Sequence, residues 1–154
     1  MTTPDRLNLY VGCGLTAAPE AFVDEVDALK DTLRERFNVF DFVGLTAGTS
    51  GDVYNWDIGH CVADCDMFVA VCDYPAIGLG WELAEATRLG KPTLGVAHVD
   101  SRVTRLVLGA AEVLPTFTFE RYEGMVADVP ELVVARFGIE AARAVAGIAG
   151  QSLS

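Results

Sequence analysis

The segment Asp73-Tyr-Pro-Ala-Ile-Gly-Leu-Gly-Trp-Glu82-Leu-Ala-Glu-Ala places a single carboxylate, Glu82, where a strand hands over to a helix. The apolar run Met67 to Val71 reads as a buried strand, and Pro75, Gly78 and Gly80 as an irregular connection. Trp81 to Leu89 reads as a helix, which puts Glu82 in its first turn. In an open α/β sheet that turn borders the crevice at the carboxyl ends of the strands, where ligands bind, and the helix dipole there favours an ionised carboxylate. A charged, positioned carboxylate is what nucleophilic attack on a sugar carbon requires. A first-turn glutamate equally serves to complement the dipole alone.

Around this segment strands and helices alternate. Leu7 to Val11 reads as a strand, followed by a helix whose apolar face is Phe22, Val26, Leu29, Leu33 and Phe37. Asn38 to Val43 is a second strand, Gly44 to Asp52 a loop, and Asn55 to Asp64 a short helix before the strand Met67 to Val71. Thr93 to Ala97 is a fourth strand, Arg102 to Ala111 a helix, and Thr116 to Phe119 a short fifth strand. Pro130 to Phe137 is a helix that Gly138 ends, and residues 139–154 form a helical or frayed tail. Such alternation predicts one α/β domain over residues 1–154, a three-layer sandwich with a mainly parallel five-stranded sheet of flavodoxin-like or Rossmann-like type.

Composition narrows the functions available. The chain has 154 residues, 51% hydrophobic and 21% charged, enough for one core and unlike a disordered chain. A net charge of -11 argues against a nucleic-acid polymer as partner, because phosphate contacts need clustered Lys and Arg. No apolar stretch approaches the ~20 residues of a membrane span. The opening Met-Thr-Thr-Pro-Asp-Arg lacks a signal peptide's apolar region, so a cytoplasmic location is expected. Cys13, Cys61, Cys65 and Cys72 lack paired C-x-x-C spacing and read as small buried hydrophobes. With His60 and His98 the only histidines, no metal is expected. Gly12-Cys13-Gly14 after the first strand suggests a dinucleotide loop, but the third glycine is replaced by Ala17 and Pro19 interrupts the helix start where pyrophosphate would dock. No cofactor is expected.

The pattern P-x-x-G-x-G-x-E-L, opening a helix that ends in Gly90-Lys91-Pro92 and leads into Thr93-Leu-Gly-Val-Ala97, resembles the nucleoside 2-deoxyribosyltransferase family and its relatives, the nucleoside 5'-monophosphate N-glycosidases. Leu9-Tyr10-Val11-Gly12-Cys13-Gly14 is similar to that family's first strand and substrate loop, and Tyr54-Asn55-Trp56-Asp57 to a Y-N-x-D element of the transferases. The resemblance spans residues 7 to about 110 and implies the same sandwich fold.

By that resemblance Glu82 is the nucleophile that expels the base from the anomeric carbon, and Tyr10 orients it through a hydrogen bond. Asp57 contacts the sugar or the reacting groups. Gly12, Gly14, Gly78, Gly80 and Trp81 border the substrate, with Trp81 favoured over Trp56 as a wall for the base. Each residue has a plainer reading: a strand-end packing aromatic for Tyr10, a helix cap for Asp57, a turn for the glycines and core packing for the tryptophans. Asp57 stands nine residues before Asp66, where the family spacing is eight. The extra residue turns a helix by about 100°, so either a bulge absorbs it or Asp57 is not equivalent.

Two departures bear on the reaction. Ala76 occupies a position where many transferases carry an aspartate and the glycosidases a serine, and Thr16-Ala17-Ala18 replaces the glycosidases' phosphate-holding Arg-Gly-Gly. Thr104 matches a residue that the family delivers to a neighbouring subunit's site, which implies a homo-oligomer; Arg102 or Arg105 would carry positive charge to the same place. The substrate implied is a nucleoside or nucleotide. Transfer of the (deoxy)ribosyl group to another nucleobase is the leading expectation, hydrolysis of a nucleoside monophosphate the second, and a non-catalytic nucleotide sensor on the same fold the third.

Overall fold

A computed structural model of the chain describes residues 6–42 and 48–138. Its elements run β1 (Asn8–Cys13), α1 (Glu20–Leu33), β2 (Asn38–Phe40), α2 (Ser50–Trp56), a π-helical turn (Asp57–Val62) continuous with α2, β3 (Met67–Val71), α3 (Ile77–Arg88), β4 (Thr93–His98), α4 (Arg105–Val113) and β5 (Phe117–Tyr122). A last helix, α5, covers residues 125–138. The sheet order is β2-β1-β3-β4-β5, with every neighbouring pair parallel. This is the flavodoxin-like doubly wound order, whose chain reverses direction across the sheet between β1 and β3. The crevice at the carboxyl ends of these two strands is where a ligand is expected.

Side chains of successive strand residues point to opposite faces, and each face has its own core. Leu9, Val11, Met67, Val69, Leu94 and Val96 pack against Val26, Leu29 and Leu33 of α1 and Val129, Val133 and Phe137 of α5. Tyr10, Phe68, Ala70 and Ala97 pack on the other face against Cys61 and Val62 of the π-helical turn and Leu79, Leu83 and Ala86 of α3. Covering both faces is why β1 and β3 read as nearly continuous apolar runs. All four cysteines are unbridged and buried in these layers. Among the described residues no helix is long and apolar enough to cross a membrane, and no cluster of three or more His, Cys, Asp or Glu is placed to hold a metal ion.

Several boundaries differ from those read in the sequence. β2 ends at Phe40, and Val43, expected in it, lies outside the described residues, as does the 139–154 tail. The expected loop to Asp52 is helical from Ser50, because Thr49 and Asp52 form a reciprocal capping box that satisfies the free amides of α2. α4 begins at Arg105, three residues later than expected, with the Thr104 hydroxyl capping it. β5 extends to Tyr122, and α5 starts at residue 125 rather than at Pro130.

The largest difference concerns α3. It starts at Ile77, after an extended Ala76, so Gly78 and Gly80 lie inside the helix and Glu82 sits a turn deeper than expected. Each interior glycine costs a helix about 1 kcal/mol relative to alanine, and packing of Leu79, Leu83 and Ala86 on the sheet offsets that cost. At the far end Gly90, with φ of 72°, takes the left-handed conformation that stops the helix. The approach to α3 is fixed by Gly14. A β-carbon there would stand 2.1 Å from the Tyr74 carbonyl oxygen, so only glycine lets the loop after β1 lie against the loop that starts α3.

Candidate active site

Tyr10 lies on the central strand β1, on the sheet face that α3 covers, and is fully buried with its ring stacked on Phe68. Its hydroxyl donates a hydrogen bond to Glu82 Oε2. Glu82 takes its place in the stripe Leu79, Glu82, Leu83 and Ala86 that α3 turns toward the sheet, and it is 9% exposed. A carboxylate on a core stripe needs a partner to offset desolvation, and the tyrosine hydroxyl supplies one.

The position of Glu82 changes the expected electrostatics. The first turn of α3 contains no acidic residue, and the dipole's influence fades within that turn, so it does not hold Glu82 ionised. Burial instead pushes the Glu82 carboxyl up to about 7; the Tyr10 hydrogen bond pulls it down, Asp57 pushes it further up, and Lys30 pulls it down. Near neutral pH both protonation states of Glu82 are therefore populated. Tyr10 is shifted upward, first by burial and then by the Glu82 charge, so it acts as a hydrogen-bond donor only.

Glu82 lies at the seam of a two-lobed hollow. One lobe, of about 220 Å³, runs between Val53, Tyr54 and Ile58 on one side and Gly78 and Trp81 on the other. The second, of about 250 Å³, is bounded by Cys13, Leu15, Thr16, Phe42, Ala76 and Leu79. Val53, Asp57, Gly78 and Glu82 belong to both. The first lobe is aromatic: Trp81 is 59% exposed and meets Tyr54 edge to face at 6.5 Å. Trp56 is absent from both linings. Its indole N–H donates to the Asp41 carbonyl at 2.7 Å and its ring packs against His60 at a tilt of 41°, a structural use.

Asp57 reaches the seam from the π-helical turn. A π-turn holds one residue more than an α-turn, and such bulges are frequent at functional sites. This turn, Asp57–Val62, lies between Asp57 and Asp66, and Asp57 is on the wall shared by both lobes.

The remaining expected residues are placed as follows. Gly78 borders both lobes, and a β-carbon built on it would meet nothing within 4 Å beyond its chain neighbours and its own helix backbone. Gly12 and Gly14 line neither lobe; Gly12 packs against Phe68 and Leu79, and Gly14 against Tyr74. Gly80 and Thr104 share a separate hollow of about 120 Å³ with Arg102, so within one chain Thr104 does not meet Glu82. A larger hollow of about 320 Å³, between the end of α1 and α5, contains none of the expected site residues.

Sequence reasoning missed Phe42, which lines the second lobe, and Lys30, whose ammonium lies over the Phe42 ring. Lys30 follows Val26 by four residues and precedes Leu33 by three, so the apolar stripe of α1 already contained the signal.

No protein-family profile matches the chain, and no curated protein matches it. Solved structures do. The chain is similar to the CMP N-glycosidase BcmB of Clostridium botulinum, with a TM-score of 0.64 at 15% identity over 82% of this chain and 96% of that one. It is also similar to a conserved protein of Enterococcus faecalis V583, with a TM-score of 0.51 at 12% identity over 88% and 99% of the two chains. At these identities the likeness shows a shared fold.

The raised Glu82 pKa has a consequence for stability. The native state retains a proton that the unfolded chain releases near 4.5, so a stabilising contribution complete below that pH is lost as pH rises through about 7. At about 1.4 kcal/mol per pH unit, this amounts to about 3 kcal/mol. Glu82→Gln, which cannot ionise, is expected to match the wild type near pH 4 and to exceed it by up to that amount at pH 8 in urea denaturation. Parallel stability curves would contradict the assignment.

Proposed function

We propose that the protein cleaves the N-glycosidic bond of a nucleoside or nucleotide, with Glu82 as the nucleophile. The observation that carries this reading is the buried Tyr10–Glu82 hydrogen bond at the seam of a two-lobed hollow, one lobe walled by aromatic rings. A nucleoside has two such parts. With its base against Trp81 and Tyr54 and its sugar at the seam, the anomeric carbon comes to the Glu82 carboxylate. Stacking of a base on an aromatic wall contributes ~1–3 kcal/mol.

Chemistry then proceeds in two displacements. A Glu82 carboxylate oxygen bonds to the anomeric carbon as the carbon–nitrogen bond breaks, and the bonding electrons leave with the base, which takes up a proton. The result is a glycosyl ester on Glu82. An acceptor, water or a second base, attacks the same carbon from the opposite face, loses a proton and returns Glu82 as a carboxylate, with net retention. Tyr10 keeps the attacking oxygen in place, and Asp57, whose charge is felt by Glu82, engages the sugar from the shared wall. Only ionised Glu82 attacks, so kcat/KM rises with pH through the neutral range.

Hydrolysis gains support from the similarity to a CMP N-glycosidase, and from Thr104, whose hydroxyl can hydrogen-bond a phosphate or sugar oxygen. Transfer to a second base is supported by the Tyr54-Asn55-Trp56-Asp57 element. A second copy of the chain completes the site in this reading. α4 has no buried residue, Leu106 on it is 82% exposed, and Ile77 at the start of α3 is 89% exposed. Covering this apolar face with another subunit carries Thr104 toward the neighbouring site.

Product analysis with deoxynucleosides and with ribo- and deoxynucleoside monophosphates, each with and without a second free base, tests the reaction. Free base appearing irrespective of acceptor establishes hydrolysis, and a new nucleoside establishes transfer. Glu82→Ala is expected to lose at least about 10³-fold in rate, as removal of a covalent nucleophile does. Full activity in that variant, or no turnover by the wild type, contradicts the proposal. The oligomer is tested by sedimentation: the wild type is expected to run as a dimer or larger and Leu106→Glu as a monomer of reduced activity. A wild-type monomer refutes the shared site.

A further inference from the structure

Lys30 is a buried lysine that the chemistry above leaves unused. It is 3% exposed, in the α1 stripe that packs on the sheet. A desolvated ammonium is costly unless it is paired, and methionine or leucine would fill the same space without that cost. Its ion-pair and cation–π partners lie just past the carboxyl end of β2. The Nζ stands 3.7 Å from Asp41 Oδ1 and 3.9 Å from the centre of the Phe42 ring. Phe42 lines the second lobe of the hollow beside Glu82 and Asp57.

Asp41 carries the contact further. Its carboxylate also receives Arg34 at 2.7 Å, so α1 holds this residue with two cations. Its backbone carbonyl accepts the Trp56 indole N–H at 2.7 Å and the Cys61 thiol at 3.5 Å. Trp56 and Cys61 bracket Asp57 on the π-helical turn. A continuous set of contacts therefore runs from α1 through Asp41 to the turn that presents Asp57.

Resting on the reading of Glu82 as a nucleophile, we infer that Lys30 is a positioning residue of this site: its buried ammonium clamps Asp41 and Phe42, fixing the wall of the second lobe and the turn bearing Asp57, while its charge acts on Glu82 from the α1 side of the sheet. Besides burial, the groups that act on Glu82 are Tyr10 of β1 through its hydrogen bond and, through their charges, Asp57 of the π-helical turn and, most weakly, Lys30 of α1. Burial pushes the Lys30 ammonium's pKa below its ordinary value; Asp41, Cys13 and Asp27 oppose that effect and Arg34 adds to it. The cation offsets part of the repulsion between the Asp57 and Glu82 carboxylates, so both can be negative in one small hollow.

The test is Lys30→Met in the full chain, with Glu82 titrated directly through its carboxyl carbon by NMR and assigned with Glu82→Gln. The Glu82 midpoint is expected to rise by about 0.5 to 1 in pH, leaving roughly three- to tenfold less ionised carboxylate below neutrality. On substrate, the acid limb of kcat/KM is expected to move with it and KM to rise as the Phe42 wall loosens. Lys30→Met/Asp41→Asn removes both charges; it is read in place of the single variant if that one does not fold, and a smaller upward movement is expected, because loss of the Asp41 carboxylate acts in the opposite direction. An unchanged Glu82 midpoint, even with altered stability, overturns the inference. If the wild type turns over no nucleoside or nucleotide, the proposed reaction fails, while the Glu82 titration still decides the role of Lys30.

Discussion

The hydrogen bond from Tyr10 to Glu82 ties the central strand to the helix that covers it, and the geometry of the hollow depends on that tie. Both groups are removed from water, so neither can relax into solvent if the other moves. The bond requires β1 and α3 to keep one separation. Gly14 sets it by letting the loop after β1 touch the Tyr74 carbonyl, and Leu79, Leu83 and Ala86 set it by packing on the sheet. A glutamate at a core position of an otherwise apolar helix face is a concession in stability, and the hydrogen bond keeps it in one orientation rather than making it cheap.

Electrostatics at the seam follow from the same arrangement. Burial raises the Glu82 pKa, Tyr10 opposes it, and Asp57 and Lys30 act from opposite directions. These effects bring the carboxyl into the neutral range, where a modest change in its surroundings alters the fraction ionised. The π-helical turn contributes by geometry alone. By holding one more residue than an α-turn, it leaves Asp57 on the wall that both lobes share.

Much of this was legible in the sequence. The alternation of apolar runs with helical periodicity gave the layers and all five strands, because burial on both faces writes itself into composition. Tyr10 and Glu82 were singled out by motif and meet in space. Helix starts were less legible. The pair Gly78 and Gly80 read as a broken connection, yet tertiary packing overrode their poor propensity and drew α3 back to Ile77. That shift removed the dipole argument for an ionised Glu82 and put burial in its place. The capping box of Thr49 and Asp52 was present in the sequence and went unread. The partnership of Lys30 with Asp41 is different in kind: it joins a helix residue to one eleven positions on, just past β2, and only the fold reveals it.

The most direct test of the account is to trap the covalent species. A nucleoside or nucleotide with fluorine at the sugar's 2 position forms the glycosyl ester but releases it slowly, because the electron-withdrawing fluorine destabilises the oxocarbenium-like transition state. Intact-mass spectrometry is expected to show a single glycosyl adduct, mapped by peptide fragmentation to Glu82 and absent from Glu82→Ala. An adduct on another residue, or turnover of ordinary substrate with no adduct under any trapping condition, would contradict the central claim that Glu82 is the nucleophile.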